Sequence, residues 1–157
     1  MEMRQYLIDT FQYNDRANRQ TLEAIATLPE KESCVKFFSH MINSQKKWMA
    51  RIIEYPNNPS MSWWDPVYTF EKLDEEWDSS INTWLRFLEE KTEADLNQEV
   101  LFVGYDGGTF AAKLKDIALQ LNYHNIHHRA QMQALIRAQG FEAPFVDYIG
   151  TVYRKVE

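Results

Sequence analysis

The apolar residues of this chain recur mostly at three- and four-residue steps, the period of one face of an α-helix. Over residues 3–28, Tyr6, Leu7, Phe11, Asn14, Ala17, Asn18, Leu22 and Ile25 form such a stripe, and Pro29 stops it. A second stripe of Phe37, His40, Met41, Ser44, Trp48 and Ile52 predicts a helix over residues 33–55, with Ser33 as its cap and Pro56 at its end. Phe70, Leu73, Trp77, Ile81, Trp84 and Leu88 predict a third helix from about 69 to 90, with only a weak capping signal at its start. A fourth covers residues 111–138, where Ile117, Leu121, His124, His128, Met132 and Leu135 share a face and Gly140 suits the C-terminal cap. After Pro144 a short helix is expected over 146–153.

The interruptions carry as much information as the stripes. Residues 56–68 hold three prolines and the adjacent pair Trp63-Trp64, so they read as a long connection; loops of that length in compact domains are often functional. Residues 91–98 are polar and are expected to be irregular. Val100 to Val103 favour an extended strand, and Asp106-Gly107-Gly108 is a turn signal, so a small β hairpin is expected before the fourth helix. The expected fold is all-α: a four-helix bundle in one domain over residues 1–157, with a long connection between helices two and three. Bundles of this kind commonly house metals in their cores.

Composition supports a packed core, with 45 % hydrophobic and 14 % aromatic residues. The net charge of −6 and the lack of any Lys/Arg run argue against nucleic acid, which recruits positive stripes to displace phosphate counterions. No stretch reaches the ~20 apolar residues that span a bilayer, so no membrane partner is expected. The opening stretch MEMRQYLIDTFQYNDRAN has no apolar signal-peptide region. The single cysteine, Cys34, suits a reducing cytoplasm and reads as a small packed residue rather than a reactive thiol.

Three of the four histidines fall in one five-residue window, His124, His127 and His128. Residues four apart on a helix share a face, so the imidazoles of His124 and His128 can reach one ion at a metal–nitrogen distance of ~2.0–2.1 Å. Both lie on the apolar stripe, where two imidazoles facing a core are costly unless hydrogen-bonded or metallated. His40, mid-stripe on the second helix, is the one histidine elsewhere and the expected third ligand. His127 falls beside Tyr123, Gln120 and Gln131 on what reads as a more polar face, outside the ligand set. The residue after His124 is Asn125, so the HExxH motif and its neighbouring carboxylate are absent. Arg129 reads as a structural salt bridge before an anion contact. Asn125 and Gln131 read equally as imidazole-orienting groups and as solvated helix residues, and Trp63, Trp64 and Asp65 as loop packing before a pocket rim. Asp147 and Tyr148 read as ordinary packing.

The run from His124 to Gln131, with Leu121 before it and Leu135, Arg137 and Gly140 after it, resembles the DinB/YfiT-like family. The family hallmark HxxxHRxQ matches His124, His128, Arg129 and Gln131, and the earlier histidine followed by tryptophan matches His40 and Trp48. Gly140, Pro144, Asp147 and Tyr148 suit the family's closing segment, so the resemblance covers nearly the whole chain. Ala130 departs from the glycine many members carry, a change that favours the helix. The resemblance implies up-down-down-up connectivity, often a homodimer, and a three-histidine site for nickel, zinc or a similar divalent ion with open positions for water. It also implies an enzyme acting on a small-molecule substrate: a thiol S-transferase using a low-molecular-weight thiol such as bacillithiol, or a hydrolase of small adducts. A stress-induced, non-catalytic metal-binding dimer is the reading from another class.

Overall fold

The computed structural model describes residues 2–157. Four long helices carry the architecture: α1 (Met3–Ala26), α2 (Glu32–Glu54), α3 (Phe70–Glu89) and α5 (Leu114–Ala138). α1 and α2 each pack against both α3 and α5, which puts α1 and α2 at opposite corners of the bundle. Their apolar faces meet in one cluster around Phe11, Phe38, Trp77 and Trp84. Phe11 stacks on Trp84 at 5.7 Å, and Phe38 meets Trp77 edge-on at 5.6 Å.

Each long helix matches its stripe, with corrections at the ends. α2 starts at Glu32, so Ser33 is inside the helix and caps nothing; Lys31 holds the cap position without a side-chain bond. α2 also buries more than its stripe, adding Cys34, Phe38, Ile42, Gln45, Met49 and Arg51, because the 55–69 connection and a hairpin cover what two neighbouring helices leave open. α5 begins three residues later than expected, because residues 109–113 are spent on a strand. Gly140 at φ 81° ends α5 as anticipated: its N–H donates to the Arg137 carbonyl, and the next N–H reaches back to Ile136.

The segment expected to be irregular contains a five-residue helix, α4 (Glu93–Asn97). Thr92 and Asp95 cap it reciprocally: Thr92 Oγ1 accepts from the Asp95 N–H, and Asp95 Oδ2 accepts from the Thr92 N–H. The fully buried Leu96 docks it on the core, and Glu93 accepts from the Arg4 N–H at 2.8 Å. The hairpin is present as β1 (Glu99–Val103) and β2 (Thr109–Lys113), antiparallel, with Phe102 opposite Phe110. Gly107 in the turn takes φ 80°, a conformation side chains disfavour. Phe102 then packs edge-on against Trp48 of α2 at 5.0 Å. The closing segment forms only a 3₁₀ turn, Tyr148–Thr151, shorter than the helix expected there.

Candidate metal centre

Burial of the α2 and α5 faces brings His40, His124 and His128 together. Their candidate ligand atoms all lie within 4.8 Å of one another. His124 Nε2 is 3.0 Å from His40 Nε2 and 3.0 Å from His128 Nε2. His40 and His128 are each only 7 % exposed. The three histidines are therefore positioned to bind one metal ion.

Proton accounting explains what this arrangement is suited to. His40 Nδ1 lies 2.7 Å from the Trp63 carbonyl oxygen, which only accepts, so Nδ1 carries the proton and Nε2 is a lone pair. His128 Nδ1 faces Gln131 Oε1 at 2.6 Å and likewise turns a bare Nε2 inward, with the Gln131 amide placed oxygen-inward. His124 Nε2 sits against both lone pairs. One proton on it would satisfy only one neighbour, while its Nδ1 is buried with no partner in either tautomer. A cation at the convergence point satisfies all three lone pairs at once, so the donor set fits a divalent ion of the kind that imidazole favours.

Protonation is not the alternative. Burial, followed by the nearby imidazoles of His128, His40 and His127, pushes His124 down to about 3. Burial also lowers His40, against the Trp63 hydrogen bond, and lowers His128, against the Gln131 hydrogen bond. All three are held neutral near pH 7, the state that ligates.

Surrounding groups fix the rings. Trp64 lies flat on His40, with centroids 3.7 Å apart and 7° between planes. Phe37 stacks on His128 at 5.5 Å. A cavity of about 200 Å³ opens beside the histidines, lined by His40, Ser44, Trp48, Trp63, Gln120, Leu121 and His124. No carboxylate lines it, consistent with the missing HExxH glutamate.

Several expectations change. The Trp63-Trp64 connection is part of the site: it supplies a hydrogen-bonding carbonyl, a stacked ring and a cavity wall. Gln131 turns its side chain to His128 rather than outward with His127, and Gln120, although exposed, borders the cavity. Steps of three and four residues carry Gln120, His124, His128 and Gln131 along one ridge facing α2. His127 is exposed, its ring 4.9 Å from that of His128, and it stands outside the convergent set.

Among the described residues, Arg129 forms no salt bridge. Its guanidinium is buried and donates to Asn14 Oδ1 and Asn18 Oδ1 at 2.9 Å each and to the Tyr13 hydroxyl at 3.0 Å. Asn14 and Asn18 in turn donate to the Asn122 and Asn125 side-chain oxygens. Asn125 is thus an interhelical strut between α5 and α1 rather than an imidazole-orienting group. The Tyr13 hydroxyl donates to the Val146 carbonyl, and Tyr148 packs edge-on against Tyr13, so the last turn serves packing. Asparagines on an otherwise apolar stripe, Asn14 and Asn18, were the sequence signal for this network.

A helical bundle with three convergent, neutral imidazoles beside a cavity is an arrangement compatible with holding a metal ion. The family model described as DinB family matches residues 3–155, and the chain belongs to the DinB family. No curated protein matches the chain significantly. Among the described residues, no helix is long and apolar enough to cross a membrane.

Proposed function

We propose that this protein is a metal-dependent thiol S-transferase, with His40, His124 and His128 holding one nickel or zinc ion and a low-molecular-weight thiol of the bacillithiol class as co-substrate. The observation that carries this reading is the convergence of three Nε2 atoms on the edge of a partly apolar cavity. Three protein ligands leave positions open, as in catalytic rather than closed structural sites. A bound divalent ion supplies Lewis-acid chemistry that lowers the pKa of a thiol or of water.

The chain's own groups prepare that chemistry. The Trp63 carbonyl and Gln131 keep the Nδ1 protons of His40 and His128 in place and so aim both Nε2 atoms inward. Trp48, Trp63 and Leu121 give the cavity an apolar wall for a small electrophile. In the transfer a carbon–sulfur bond forms, the carbon–leaving-group bond breaks, and the thiol proton departs with the displaced group. With no carboxylate in the cavity, the protein adds no second base. The homodimer implied by the resemblance and the reducing compartment that the single Cys34 suits belong to the same reading, and sedimentation at micromolar concentration tests the former.

Elemental analysis of protein purified without a histidine tag should find about one nickel or zinc per chain, and His124→Ala should lose it together with all activity. Retained stoichiometric metal in that variant overturns the ligand assignment. A screen pairing a generic electrophile with bacillithiol, mycothiol and glutathione tests the reaction. Turnover with water alone makes the protein a hydrolase instead, and bound metal without turnover makes it a non-catalytic metal-binding protein.

A further inference from the structure

Beyond the histidines, α2 carries a second unusual group. Arg51 is 7 % exposed, yet neither a hydrogen bond nor an ion pair reaches it among the described residues. Its Nε is sealed without a partner, whereas its terminal nitrogens, equally unpartnered, are not sealed. Three aromatic rings surround the guanidinium: Trp63 at 4.8 Å, Trp48 at 4.9 Å and Phe102 at 5.3 Å. One turn earlier, Lys47 Nζ lies 4.6 Å over the same Trp63 ring and donates to the Met61 carbonyl at 2.6 Å. Neither cation has a carboxylate within ion-pair distance among the described residues, although acids outnumber bases 23 to 17 in the chain. Burial lowers both, and Arg51 lowers Lys47 further, so the pair repels itself with no anion between.

Aromatic faces attract cations but leave N–H donors unsatisfied, and a desolvated charge without a counter-ion is costly to keep. The location gives that cost a use. Trp48 and Trp63, which flank Arg51, are also walls of the cavity at His40 and His124. Arg51 follows His40 by eleven residues, about 16 Å along the helix at ~1.5 Å per residue. Ser44 and Trp48 mark the intervening turns.

We propose that Arg51, assisted by Lys47, anchors the oxyanion, carboxylate or phosphate, of an extended small molecule whose other end lies in the cavity at His40 and His124. A guanidinium offers planar, paired donors that match such oxyanions, and it stays charged when partly desolvated. The reactive end of this assignment rests on the proposed metal site; the anion anchor stands on Arg51 and Lys47 alone.

The test titrates succinate and inorganic phosphate separately into metal-loaded protein, against chloride at matched low ionic strength, following calorimetry and tryptophan fluorescence. Saturable binding of at least one probe is expected, succinate alone identifying a carboxylate anchor and phosphate alone a phosphate anchor. Arg51→Gln should weaken it tenfold or more with unchanged circular dichroism and metal content. If that variant does not fold, Lys47→Gln, at a half-buried position, should weaken binding by a smaller factor in a folded protein. His124→Ala should retain the anion affinity, which places the anchor away from the metal. Absence of binding by both probes, or wild-type affinity in both cation variants, overturns the proposal. Wild-type protein that holds no metal but shows Arg51-dependent binding would overturn the metal reading and leave the anion anchor standing.

Discussion

Arg129 illustrates how much a single side chain can commit to a bundle of this size. Its guanidinium satisfies Tyr13, Asn14 and Asn18 together, and burial holds it below the ordinary arginine range, with Tyr13 opposing that shift. Arg129→Met would fill similar volume but strand three buried acceptors, so a loss of about 2–4 kcal/mol in urea denaturation is expected. Gln131 works on a smaller scale: it positions the His128 ring, and Gln131→Leu should leave stability nearly unchanged while weakening metal affinity roughly 10–100-fold in a chelator competition. At this scale the sequence was half legible. The helical step singled out His124 and His128, whereas Gln131 read equally as a solvated residue, and Asn14 and Asn18 were simply counted in the stripe of the first helix. What Arg129, Asn122 and Asn125 bond to was not legible, because their partners on α1 lie 107 to 116 residues away along the chain.

Among the elements, the long helices were readable from period alone because each must bury one continuous face. α4 was not: five residues carry too little periodicity to separate a helix from polar coil. Its one local sign is the pair Thr92 and Asp95 at capping-box spacing, and that cap sustains a helix too short to persist in isolation. Thr92→Ala should therefore cost about 1 kcal/mol in chemical denaturation and increase amide exchange across residues 93–97. The 55–69 connection shows the same limit in reverse. Its prolines and tryptophans marked it as a long loop, but only packing over α2 turned Trp63 and Trp64 into the roof of the histidine cluster.

For the molecule as a whole, the histidine cluster couples stability to protons. Burial holds His124 at about 3 in the folded protein against 6.5 in the unfolded chain, so between these values the unfolded chain binds more protons. Stability present above pH 6.5 should then drain away as pH falls toward 3 in metal-free protein. Urea midpoints measured from pH 7.5 to 5 should decline more steeply for the wild type than for His124→Ala. Saturating nickel or zinc should oppose the decline, since an ion that binds only the folded state raises stability by mass action.

The sequence by itself determined the helical class, the four principal helices, the hairpin and the three histidines, because periodicity, turn chemistry and ligand spacing are local properties of the chain. Tertiary structure alone decided that His40 meets His124 across 84 residues, which lone pairs face inward, and that Arg51 ends among three aromatic rings with no ion-pair partner among the described residues. Those outcomes depend on how α2, α5, the tryptophan loop and the hairpin close over one another, and burial then sets the protonation and pairing that no local pattern encodes.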